Sequence, residues 1–140
     1  MKQLCLATYN IHRAVGRDGR FDPARIQRVI AEIDADVVAL QEVESHHGGF
    51  DMLAYLATQT SLTPVAGPTL AHATGEYGNA VLTRASLLDV QRLDLSVPHR
   101  EPRGALDVLL DWGGAPLRVV ATHLGLRPAE RRHQIRLRTM

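Results

Sequence analysis

Thr8-Tyr9-Asn10-Ile11-His12 closes an apolar run, and Val37-Val38-Ala39-Leu40 leads straight into Gln41-Glu42. Both stretches read as buried strands that deliver polar side chains at their C-terminal ends. Between them lies a helix signal. Asp22 is suited to the N-cap and Pro23 to the first helical position. Ile26, Val29, Ile30 and Ile33 recur at i, i+3, i+4 and i+7, which makes one apolar stripe. Asp34-Ala35-Asp36 ends that pattern. A continuous run such as Val37 to Leu40 suits a strand buried on both faces. Strand, helix and strand in this order predict a right-handed parallel crossover, which lets Asn10 and Glu42 meet.

Beyond Glu42, His46-His47-Gly48-Gly49 reads as a loop and residues 50–59 as a short helix with Met52, Leu53 and Leu56 on its apolar side. Thr63 to Ala66 is a weak strand signal. Gly67 to Gly78 is polar and contains Pro68 and further glycines, so it predicts a long exposed, mobile loop. Ala80 to Leu82 predicts a strand that ends at Thr83-Arg84. Residues 87–95 and 105–111 alternate imperfectly, as strands do. Gly113-Gly114 before Leu117 to Thr122 is a hairpin signal, with Leu117, Val119 and Ala121 on one face. After Gly125, Pro128 opens an arginine-rich helix.

The chain has 140 residues, 45% of them apolar and 22% charged, as expected for one globular domain or part of one. A net charge of +1 gives no global basic field for bulk nucleic-acid binding. The charge is uneven: residues 1–116 hold 10 Lys/Arg against 14 Asp/Glu, and residues 117–140 hold 6 Arg against Glu130 alone. The basic end reads as a solvated helix face in preference to a phosphate-binding one. Cys5 is the single cysteine and sits in an apolar run, which predicts a core residue and excludes an internal disulfide. No stretch approaches membrane-spanning length, so a cytoplasmic location is the expectation.

Asn10, Glu42 and His123 each close an apolar strand, where a rigid element hands over to a loop. Glu42 offers a carboxylate to a hard cation such as Mg²⁺, which takes oxygen ligands and keeps several waters. Asn10 can hydrogen-bond a phosphate oxygen or orient a neighbour without adding charge. His123 can donate to a phosphoryl oxygen and titrates near neutrality. Such groups suit phosphoester hydrolysis. Each also has a plainer reading: a salt-bridged Glu, a turn Asn and a structural His.

The motifs Thr8-Tyr9-Asn10-Ile11-His12, Asp36 to Val43, Glu76-Tyr77-Gly78-Asn79-Ala80-Val81-Leu82-Thr83-Arg84 and Val119-Val120-Ala121-Thr122-His123-Leu124 occur in the order seen in the endonuclease/exonuclease/phosphatase family. The resemblance implies an α/β chain with the DNase I-like four-layer α/β/β/α sandwich and a metal-dependent phosphoester hydrolase. Under it, Glu42 resembles the metal-ligating Glu, with Mg²⁺ expected and Mn²⁺ able to substitute. Asn10 resembles the first-motif Asn near metal and phosphate, and His123 the His on the scissile phosphate. Asn79, His12 and Arg103 are further phosphate-binding candidates, Arg103 with a surface ion pair as its rival. Tyr77 and Arg84 read as structural.

The family's later motifs, Gly-Asp-Phe-Asn and a terminal Asp-His pair, have no counterpart in these 140 residues. Residues 1–140 are therefore expected to form a C-terminally truncated sandwich with little turnover of its own. Such a sandwich would expose apolar sheet face and open strand edges, which predicts marginal stability or self-association. A non-catalytic remnant or a partner subunit is the rival to the enzyme. The resemblance implies a nucleic acid, a lipid head group or a small phosphate ester as substrate and does not choose among them.

Overall fold

The structure is a computed structural model that describes residues 3–44, 49–72, 75–100, 102–123 and 128–139. Its elements are β1 (Leu6–Asn10), a 3₁₀ turn (His12–Ala14), α1 (Pro23–Ile33), β2 (Val37–Glu44), α2 (Met52–Thr60), β3 (Thr63–His72), β4 (Gly75–Thr83), β5 (Ser86–Asp94), β6 (Gly104–Trp112), β7 (Ala115–Thr122) and α3 (Pro128–Thr139). They form two sheets, one ordered β1-β2-β4-β3 and the other β5-β6-β7.

The crossover forms where the sequence signals it. Asp22 accepts a hydrogen bond from the Arg25 amide at 3.1 Å, and Pro23 follows it. Asp34 then stops the helix in the left-handed conformation, at φ 51°. β1 and β2 run parallel, from Leu6 opposite Val37 to Asn10 opposite Gln41, so their C-terminal ends share one edge. Val37, Val38 and Leu40 are fully buried. Side chains of this kind contribute roughly 1.5–3 kcal/mol each on burial, an upper bound for a compact unfolded chain.

Alternation along β2 separates two cores. Val38 and Leu40 join Ile26 and Ile30 of α1, Met52, Leu53 and Leu56 of α2, and Leu82 of β4. Val37 and Ala39 face the other way, onto Val65 and Val81, and meet Leu106, Val108, Leu110, Val119 and Ala121 of the second sheet. The layers are thus helix, sheet and sheet. Gly67 of β3 permits the close approach of the sheets, because a Cβ there would sit 2.5 Å from Leu106 Cγ. The β6–β7 turn is Gly113-Gly114, with φ 60° and 89°, the left-handed pair a two-residue hairpin requires.

Three expectations are corrected. β1 is not a buried strand: among the described residues it pairs with β2 alone, Leu6 is 55% exposed, and Cys5 is exposed instead of in the core. The apolar run there reflects a sheet-edge position. The Gly67–Gly78 stretch is not a long loop, since β3 and β4 continue their ladder through Gly67 opposite Asn79 to His72 opposite Gly75. Pro68 falls in β3, the outer strand of this sheet, where proline is tolerated. The Thr63–Ala66 strand accordingly runs on to His72. Of the His46–Gly49 loop, residues 46–48 lie outside the described residues, as does Gly125. Among the described residues no helix is long and apolar enough to cross a membrane.

Candidate active site

Leu40 of β2 lies opposite Ala80 and Val43 opposite Gly78, so Gln41 and Glu42 together face Asn79. This is a β-bulge, a device that re-aims a side chain. It holds Glu42 at φ 56°, a left-handed conformation that costs a non-glycine residue about 1–3 kcal/mol. Gln41 anchors the bulge by donating from Nε2 to Thr8 Oγ1 at 3.0 Å, and the Ile11 amide donates to Gln41 O at 3.1 Å.

The bulge turns Glu42 into a small cleft shared with Gly78, Asn79, Pro102, Arg103, Gly104 and His123. Four of the six candidates therefore converge: Glu42 and Asn79 from the first sheet, Arg103 and His123 from the second. Asn79 is buried and donates from Nδ2 to Gly104 O at 2.9 Å. Thr122 Oγ1 donates to the same carbonyl at 2.9 Å. The Gly104 carbonyl thus ties β4, β6 and β7 together beside the cleft. No side-chain motif signalled it.

Arg103 is 8% exposed, and its Nη1 lies 3.0 Å from His123 Nδ1. A guanidinium only donates, so His123 Nδ1 accepts and the ring proton sits on Nε2. Arg103 is thus buried at the cleft and in contact with His123.

The other two candidates lie outside the cleft: His12 touches Glu42, and Asn10 touches His12. His12 Nδ1 lies 3.0 Å from Glu42 Oε2. A carboxylate accepts, so here Nδ1 donates, the opposite role to His123 Nδ1. Asn10 Oδ1 accepts from the His12 amide at 3.1 Å, a local bond two residues along the chain. The His12–Ala14 turn is itself strained, with φ 50°, 55° and 62° at His12, Arg13 and Ala14. Positive φ at His12 and Glu42 coincides with their contact, and strain of this kind clusters at functional sites.

Among the described residues no group of three His, Cys, Asp or Glu side chains could hold a metal ion. Glu42 is the acidic member of the cleft and is 24% exposed at its side chain. One carboxylate within reach of water fits Mg²⁺, which is often bound by one or two carboxylates, several waters and substrate phosphate.

A model of the endonuclease/exonuclease/phosphatase family matches residues 7–138, which takes in both sheets and all three helices. The chain belongs to the endonuclease/exonuclease/phosphatase family. It is 29% identical over 141 aligned positions to the uncharacterized protein YbhP of Escherichia coli K12, covering 91% of this chain and 56% of YbhP. The crystal structure of an endonuclease/exonuclease/phosphatase from Beutenbergia cavernae superposes with a TM-score of 0.83 at 29% identity, over 96% of this chain and 42% of that one. TDP2 of D. rerio, complexed with a single-strand DNA product, superposes at 0.74 with 20% identity, over 96% of this chain and 52% of that one, and shows the shared fold. The chain spans about half the length of these relatives. Its two sheets and three helices match the DNase I-like fold of the family.

Proposed function

We propose that this chain carries the Glu42 side of a Mg²⁺-dependent phosphoester hydrolase site, with Mn²⁺ able to replace Mg²⁺. The convergence of Glu42, Asn79, Arg103 and His123 on one cleft carries this reading, and family membership supports it. Glu42 and Asn10 are the residues that would hold the cation. The cation would polarise a phosphoryl oxygen and acidify bound water.

The rest is work for the chain's own groups. Arg103 donates to a phosphate oxygen and offsets charge that grows in the transition state. Because Arg103 occupies His123 Nδ1, the His123 Nε2 proton is the one available to a phosphoryl oxygen. His12 holds the Glu42 carboxylate in one orientation through the 3.0 Å contact. Asn79 keeps the two sheets at fixed separation there.

A second reading, a cation- and phosphate-binding subunit without turnover, is favoured by one observation. Among the described residues lining the cleft, Glu42 is the sole carboxylate, and none is an Asp that could activate water. The two readings separate in one pair of measurements. Mn²⁺ binding followed by electron paramagnetic resonance should be lost in Glu42→Ala. Unchanged binding would refute the site. Hydrolysis of bis(p-nitrophenyl) phosphate by the 140-residue chain should stay near background, and robust Glu42-dependent turnover would overturn the subunit reading.

A further inference from the structure

Arg103 enters the cleft from a segment that no strand holds. Glu42 belongs to β2 and Asn79 to β4, whereas β5 ends at Asp94 and β6 begins at Gly104, so Arg103 lies in the connection between them. Its guanidinium nonetheless arrives at one point, with Nη1 3.0 Å from His123 Nδ1. A long side chain on an irregular segment loses backbone and rotamer freedom when it is held there. Hydrogen bonds at the backbone supply the hold.

The backbone is clamped on two sides. After Arg103, the Gly104 carbonyl accepts from Asn79 Nδ2 and Thr122 Oγ1. At Arg103 itself the partners come from the far end of the connection. The amide of buried Leu95 donates to Arg103 O at 2.9 Å. The Ser96 hydroxyl meets both backbone atoms: it accepts from the Arg103 amide at 3.3 Å and lies 3.4 Å from Arg103 O, to which it can donate. One hydroxyl can serve both, since it has a proton and two lone pairs. Ser96 is fixed in turn, because its amide donates to Asp94 Oδ1 at 2.9 Å. Ser96 is half-buried and is not among the residues lining the cleft, so it reaches the site through Arg103.

Resting on the hydrolase reading for its consequence, we propose that Ser96 is a positioning residue of that site. Its hydroxyl closes the neck of the β5–β6 connection and sets Arg103 against His123 and the incoming phosphate. A plain turn serine would stabilise the connection and do no more. The larger role follows from where the bonds go: they span seven residues and end on the residue that enters the cleft. Arg103 and His123 are also coupled. Displacing the guanidinium leaves His123 Nδ1 without its donor and removes the reason for the ring proton to sit on Nε2. Donors aimed at a phosphate depend on placement to within a fraction of an ångström.

Calorimetric titration of the chain with inorganic phosphate in Mn²⁺ tests this. Ser96→Ala should weaken phosphate binding about fivefold and leave Mn²⁺ binding as in the wild type. Ser96→Thr, which keeps the hydroxyl, should restore the affinity. In an Arg103→Ala background Ser96→Ala should cost nothing further. Above the ordinary histidine pKa range, ¹⁵N shifts of the ligand-free chain should show one bare and one protonated nitrogen in the His123 ring, and the two should converge in Ser96→Ala. Unchanged phosphate affinity and ring shifts in Ser96→Ala would overturn the proposal, whatever the melting temperature does. So would a loss that Ser96→Thr fails to restore, or one that persists in Arg103→Ala. Ring shifts that follow Ser96 while Mn²⁺ binding ignores Glu42→Ala would keep the clamp and remove the hydrolase reading.

Discussion

Asp36 just before β2 and Glu42 near its C-terminal end are both carboxylates, and the fold treats them in opposite ways. At the N-terminal end Asp36 is 8% exposed at its side chain and fully engaged. It accepts from the Cys5 amide at 2.8 Å and from Arg84 Nη1 at 2.9 Å, while Arg84 Nη2 reaches Asp34 at 2.9 Å. The Asp34 hydrogen bond is the leading cause holding the Arg84 pKa above its usual value. At the C-terminal end Glu42 is more exposed, sits in a left-handed bulge and meets an imidazole where Asp36 has a guanidinium. Charge satisfied by a guanidinium and a backbone amide marks the stabilising end. Partly open charge in a left-handed residue marks the end that faces the cleft.

The largest expected effect falls at the Asp36 end. Arg84→Ala leaves a buried carboxylate without its cation and should lower stability by about 2 kcal/mol, discounted from a fully buried pair because Arg84 is half exposed. Urea denaturation measures it. A change under 0.5 kcal/mol would show that the two ends are alike. Glu42→Gly should act in the other direction and raise stability by about 1 kcal/mol as the positive φ is relieved, while Mn²⁺ binding disappears. A destabilised Glu42→Gly would mean that the bulge is relaxed as it stands.

The smallest effect is away from both ends. Hydrogen bonds from the Ser96 side chain, and then from its backbone amide, lower the Asp94 pKa below its ordinary value. A depressed carboxylate stabilises the fold above its unfolded pKa, and that contribution is lost as pH falls through the folded value. Asp94→Asn should therefore flatten the acid side of the stability profile by a few tenths of a kcal/mol, with the neutral side little changed. Chemical denaturation at stepped pH reads this out. A flattening confined to the alkaline side would reverse the sign.

Local chemistry made the crossover legible. A cap at Asp22, a proline at N1, a stripe at helical spacing and a doubly buried run each act within a few residues. The sheet edges were not legible in the same way. Cys5 and Leu6 are as apolar as a core strand, and their exposure follows from which strand lies beside β1. The polar Gly67–Gly78 segment reads as a loop because polarity and proline argue against burial. An edge hairpin needs ladder bonds more than burial, so it forms nonetheless.

The site divides along the same line. Glu42, Asn10 and His123 stand out in sequence because each closes an apolar strand. Their roles toward one another do not. The bulge that turns Glu42 onto Asn79, the opposite Nδ1 roles of His12 and His123, and the Gly104 carbonyl shared by Asn79 and Thr122 all arise between residues far apart in the chain. The sequence by itself determined the crossover, the β6–β7 hairpin, the family resemblance and the polar residues delivered at strand ends, because capping, periodicity and turn chemistry are short-range. The tertiary structure alone decided which strands lie at an edge, which carboxylate is spent on stability and which faces a cleft, because those outcomes depend on the neighbour that packing brings to each side chain.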